Sequence, residues 1–143
     1  MIIRSEFIRL SGQAAHLTRT DTNRTVAIRI DLARDAPDDL LDMTRFFAAI
    51  ARSNPRTERD LVHVKISPAH PLTDAQLVRA LEVLEEEFCI APSTPRGVVE
   101  HDKGDRPRHF HVLYPIVDPA TGRAIRSEAN YVKDELVSRR LEI

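Results

Sequence analysis

A chain of 143 residues that is 42% hydrophobic reads as one globular domain with an enclosed core, spanning residues 1–143. Charged residues make up 30% and nearly cancel, for a formal net charge of −1, which argues against the strong non-specific grip of a basic nucleic-acid binder but allows charge segregated between faces. The one cysteine, Cys89, excludes a disulfide scaffold and a C-x-x-C zinc site and fits a reducing cytoplasm; the apolar opening breaks at Arg4, too early for a signal peptide or a membrane span.

Residues 2 to 10 mix apolar and charged side chains and predict a first strand. Ser11-Gly12-Gln13 breaks it, and residues 14–19, with His16, read as a short helix. After a turn at Thr20-Asp21-Thr22-Asn23, the β-branched run Val26 to Ile30 predicts a second strand. Asp35-Ala36-Pro37 opens a helix whose stripe is Leu40, Met43, Phe47 and Ile50, and Ser53-Asn54-Pro55 stops it. Leu61 to Ser67 alternates as a strand. Thr73-Asp74-Ala75-Gln76 has capping-box spacing and starts a helix with an apolar stripe at Leu77, Leu81, Leu84 and Phe88; Glu82, Glu85 and Glu86 read as its solvated face. Two further strands follow Pro92 and Pro95, then a turn at Pro119-Ala120-Thr121-Gly122 and a final helix from Glu128 to Arg140. The pattern predicts an α/β (α+β) sandwich, a largely antiparallel sheet with helices packed on it.

The chemistry concentrates in the late strand pair. Val98-Val99-Glu100-His101-Asp102 and Arg108-His109-Phe110-His111-Val112-Leu113-Tyr114 are extended runs joined by a polar turn, Lys103-Gly104-Asp105-Arg106-Pro107. Side chains on a strand alternate, so His109 and His111 share one face while Phe110 and Val112 anchor the other in a core. The two imidazoles are expected side by side at the surface, with His101 brought beside them by an antiparallel hairpin. A lone H-x-H is often two surface histidines. A third imidazole on the preceding run favours a divalent-metal site with open positions, which serves chemistry rather than structure. The two-histidine phosphodiesterases would need H-x-S or H-x-T repeats, whereas His63 is followed by Val-Lys and His111 by Val-Leu.

His101 with His109-Phe110-His111, followed by Asp118-Pro119-Ala120-Thr121-Gly122, resembles the third motif of the DNA relaxases, the mobilisation nucleases of the HUH endonuclease superfamily. Ala15-His16-Leu17-Thr18-Arg19, with Asn23 and the strand after it, is similar to their first motif, and His63-Val64-Lys65-Ile66-Ser67-Pro68 to their second. The chain departs from the usual pattern in two places: His16 stands where most relaxases have tyrosine, and the turn from His101 to His109 is one residue longer.

The resemblance implies site- and strand-specific nicking of DNA at a transfer origin by transesterification, for conjugative transfer of a plasmid or other mobile element. It implies single-stranded DNA as partner, accessory relaxosome proteins, no membrane, and an HUH-type sheet flanked by helices. Relaxases usually continue into further domains, so it also implies a nuclease domain excised from a longer protein. His16 takes the nucleophile's position and would form a 5′-phosphohistidine. A neutral imidazole can attack phosphorus, and histidine needs less activation than a tyrosine of pKa about 10. Tyr114 faces away from the histidine pair by strand parity, which leaves Tyr131 as the fallback.

His101, His109 and His111 are the expected ligands of a divalent metal, Mn²⁺ first because imidazole suits it better than Mg²⁺, with Mg²⁺ and Zn²⁺ as alternatives. Asp102 is a candidate to orient a ligand imidazole, or else a solvated turn residue. Arg19, Arg24, Arg106 and Arg108 flank the site as candidate phosphate contacts, although each taken singly reads more readily as a solvated arginine. Lys65 and Ser67 match the second motif, where the family makes a backbone contact. Two other readings stay open: a non-catalytic metal- or DNA-binding relative, and a replication initiator or transposase of the same superfamily using Tyr131.

Overall fold

Strand alternation and helical periodicity settle into two layers against one sheet. A computed structural model describes residues 1–9, 25–28, 40–54, 57–102, 104 and 107–142. Five strands, β1 (Ile2–Ile8), β2 (Thr25–Ile28), β3 (Leu61–Ser67), β4 (Gly97–Asp102) and β5 (His109–Pro115), form one sheet in the order β1-β3-β5-β4-β2. Every neighbouring pair is antiparallel. Three helices accompany it, α1 (Leu40–Arg52), α2 (Asp74–Glu87) and α3 (Asn130–Leu141). None of them is long and apolar enough to cross a membrane.

The register divides the side chains cleanly. Ile3 on β1, Val62, Val64 and Ile66 on β3, Val98 on β4 and Phe110, Val112 and Tyr114 on β5 face one way, into the main core. Leu77, Leu81, Leu84 and Phe88 of α2, the stripe read from the sequence, and Val137 of α3 close over them. On the opposite face, Leu61, Val99 and Leu113 pack with Met43 and Phe47 of α1 into a second, smaller cluster. Among the described residues, that cluster covers one end of this face. The other end carries the polar residues of β1, β3, β4 and β5.

Local signals explain the helix ends. Thr73 Oγ1 accepts from the Gln76 N–H (3.1 Å) and the Gln76 side chain accepts from the Thr73 N–H (2.8 Å), so the expected capping box is formed. At the other end of α2, Cys89 takes a left-handed φ of 55°, the Cys89 N–H reaches the Glu86 carbonyl and the Ile90 N–H reaches that of Glu85, a Schellman closure without glycine.

Two expectations change. Glu85 does not join the solvated face of α2. It is buried, accepts from the Tyr114 hydroxyl (3.0 Å) and pairs with Arg96, because Tyr114 reaches across from β5 with a polar tip that needs a partner. The last helix starts at Asn130 and not at Glu128, because Ala129 sits at a left-handed φ of 55° before the first turn. The second strand is described over Thr25–Ile28 only, and residues 29 and 30 of the expected strand lie outside the described residues, as do the expected short helix at 14–19 and the start of the α1 segment at 35–37.

A histidine cluster as candidate active site

The polar end of the α1-side face is built by register. His101 of β4 stands directly opposite His109 of β5, and His111 of β5 stands opposite Val99 of β4 and Lys65 of β3. His63, two residues before Lys65 on β3, shares their face by strand parity. All four imidazoles are therefore on one side of three adjacent strands. The His101 and His111 ring centroids are 4.3 Å apart and tilted by 51°; those of His63 and His111 are 4.9 Å apart and within 17° of parallel. His63 Nε2 lies 2.6 Å from His111 Nδ1, a hydrogen bond whose direction depends on the tautomers.

The expected hairpin and the shared face of His101, His109 and His111 are what the structure contains. Their expected surface position is not. His63, His101, His109 and His111 are all at most 7% exposed, with His111 packed against both His63 and His101. Burial sets their electrostatics. His111 is pushed down from 6.5 to about 2, first by burial, then by His63, His101, Lys65 and His109 around it, so it stays a neutral imidazole.

A neutral, buried imidazole with one ring nitrogen held by a partner is the form in which histidine serves as a ligand. In kind, imidazole nitrogens suit a divalent cation of the imidazole-accepting sort. Among the described residues, no three His, Cys, Asp or Glu side chains stand ready arranged around an ion.

Beside the cluster runs an open groove of about 370 Å³ lined by Arg4, Lys65, Ser67, Pro68 and His109 among others. Lys65 and Ser67, expected as DNA contacts, thus lie on the imidazole face, with Arg4 facing Lys65 across the β1–β3 ladder. Arg108 pairs with Glu100 (3.2 Å), and Glu100 points to the opposite face. Asp102, one residue past His101, also points to that opposite face, and its Oδ1 accepts from the Gly104 N–H (2.9 Å), which is the bond of a turn residue and not of an imidazole orienter. His16, Arg19, Arg24 and Arg106 lie outside the described residues. Tyr131 is 82% exposed on α3, on the layer opposite the imidazoles.

His63 and Arg4 are the residues that sequence reasoning left without a role. His63 alternates with Lys65 and Ser67, so parity alone signalled their common face. Its contact with His111, 48 residues away, required the β3–β5 register.

A family model described as "Relaxase: MobA/VirD2-like, nuclease domain" matches residues 17–143, beginning one residue after His16. A solved structure described as "Molecular Basis of Vancomycin Resistance Transfer in Staphylococcus aureus" is similar to this chain with a TM-score of 0.53 at 13% identity, over 98% of this chain and 87% of that one; at such identity the likeness speaks for the fold. No curated protein matches the chain. With nearly its whole length covered by that family model, and with the sheet and histidine pattern just described, the chain belongs to the MobA/VirD2-like nuclease domains of the relaxase family.

Proposed function

We propose that this chain nicks one strand of DNA at a transfer origin by transesterification, in the service of conjugative transfer of a plasmid or other mobile element. His16 is the nucleophile. The unprotonated ring nitrogen attacks the scissile phosphorus, a P–N bond forms to the 5′ end, the P–O3′ bond breaks, and the departing oxygen becomes a free 3′ hydroxyl as the phosphorylated ring gives up the proton on its other nitrogen. The phosphoramidate retains enough reactivity for the 3′ hydroxyl to reverse the step and rejoin the strand.

His101, His109 and His111 would hold the divalent metal, Mn²⁺ by preference and Mg²⁺ or Zn²⁺ as alternatives. When bound there, such an ion withdraws charge from the non-bridging phosphate oxygens. Lys65 and Arg4 hold the sugar–phosphate backbone along the groove by charge, and Ser67 by its hydroxyl. The observation that carries this reading is the gathering of His101, His109 and His111 on one sheet face, next to that basic groove, in a chain of this family. Single-stranded DNA is the substrate form, because an in-line attack on phosphorus is obstructed inside an intact duplex. Accessory relaxosome proteins would open the origin.

Incubation with a labelled single-stranded transfer origin and Mn²⁺ tests the reading. The expected result is a covalent protein–DNA adduct that is lost in His16→Ala and kept in Tyr131→Phe. An adduct that depends on Tyr131 would transfer the chemistry to the initiator or transposase mode. Metal uptake without any cleavage would make the chain a non-catalytic DNA-binding relative.

A further inference from the structure

We propose that His63 is a positioning residue for the metal site, fixing the tautomer and the ring orientation of His111. The assignment rests on the metal reading above and deepens it. His63 occupies β3, one strand away from the hairpin that carries the three expected ligands, yet its Nε2 is 2.6 Å from His111 Nδ1, and the two rings are within 17° of parallel. Two imidazoles so placed share one proton between facing nitrogens: one ring donates and the other accepts.

The charge beside the outer end of His63 points to the direction. Glu6 of β1 stands opposite His63 in the β1–β3 ladder, and its Oε2 is 3.7 Å from His63 Nδ1, a charge contact longer than a hydrogen bond. A carboxylate on that side favours the proton on His63 Nδ1. His63 Nε2 then carries a lone pair and accepts, His111 Nδ1–H donates, and the lone pair of His111 is left on Nε2, the nitrogen available to a cation. The order Glu6, His63, His111 runs across three strands as a carboxylate–imidazole–imidazole relay, the arrangement by which an outer partner orients a ligand histidine. His63 and His111 are both buried, so neither ring is oriented by bulk water in place of its neighbour. Asp102, adjacent in sequence to His101, is committed to the Gly104 turn on the other face.

The test begins without metal. Long-range ¹H–¹⁵N correlation spectra of the wild-type chain with labelled histidine should show His111 as the Nδ1–H tautomer; an Nε2–H tautomer for His111 overturns the proposal. Mn²⁺ titration by calorimetry should then show dissociation constants raised about 10–100-fold in His63→Phe, which keeps a ring and removes the nitrogens, and largely restored in His63→Gln, whose amide can accept near the Nε2 position. Pulsed EPR of the Mn²⁺-saturated proteins should count the same number of coupled imidazole nitrogens in wild type and His63→Phe.

Unchanged affinity in His63→Phe overturns the positioning role. Loss of one coupled nitrogen also overturns it, because His63 would then be a ligand itself. A wild-type chain that takes up no Mn²⁺ ends the metal reading, an outcome separate from normal wild-type uptake with an indifferent variant. Should His63→Phe fail to fold, the tautomer measurement on the wild type still decides.

Discussion

Gly97, at the start of β4, lies directly against Met43 of α1: a Cβ built there would stand 1.9 Å from the Met43 sulfur. Gly97 faces Leu113 across the β4–β5 ladder, so the missing side chain is what lets α1 sit down over the apolar end of the imidazole face. Gly97→Ala is therefore expected to destabilise the fold by about 1–3 kcal/mol through overpacking. Urea denaturation measures it, and a double-mutant cycle with Met43→Ala should give a coupling well away from zero. Additive effects would mean that the two residues do not press on each other.

Acid should weaken the protein through His111. Its folded pKa is depressed to about 2 from an unfolded 6.5, so below pH 6.5 the unfolded chain binds a proton that the folded chain refuses. Stability is complete above 6.5 and falls as the pH drops, by about 1.4 kcal/mol per pH unit for this one group. Urea midpoints measured from pH 7.5 down to 4.5 should decline less steeply in His111→Gln. Equal slopes would show that this imidazole is not the one held neutral.

Glu85→Ala should cost about 3 kcal/mol, because it leaves the Tyr114 hydroxyl without its acceptor and Arg96 without its buried counter-charge. Glu82→Ala, on the exposed side of the same helix with an Arg79 ion pair at 3.5 Å, should change thermal unfolding far less. Similar losses for the two would restore the reading in which both glutamates belong to one solvated face.

Cys89→Gly should stabilise the chain by up to about 1 kcal/mol. The left-handed φ of 55° at the end of α2 strains a residue with a Cβ and does not strain glycine, and Cys89 is exposed, so little packing is given up. A small rise in melting temperature is the expected reading. A fall would show that the thiol makes a contact worth more than the strain.

Lys65→Ala and Arg4→Ala should each weaken single-stranded DNA binding for every sequence tried, and each should flatten the slope of log K against log salt by about 0.7. Fluorescence anisotropy at several salt concentrations measures both quantities. An unchanged slope in either variant would remove that residue from the phosphate track.

The capping box at Thr73, the buried stripe of α2, the β4–β5 hairpin and the common face of His109 and His111 were all legible in the sequence, because each depends on spacing within one element or across one turn. Alternation with period two decides faces, and a Thr followed by Gln three residues on decides a helix start, wherever the rest of the chain lies. Tertiary structure alone decided that the imidazoles are buried and not at the surface, that Glu85 is spent on Tyr114, and that His63 meets His111. The His63–His111 contact follows from the β3–β5 register and the Glu85–Tyr114 bond from the packing of α2 over β5, both of which join residues far apart in the chain. Local periodicity says which way a side chain points, but only the pairing of distant strands says what it meets there.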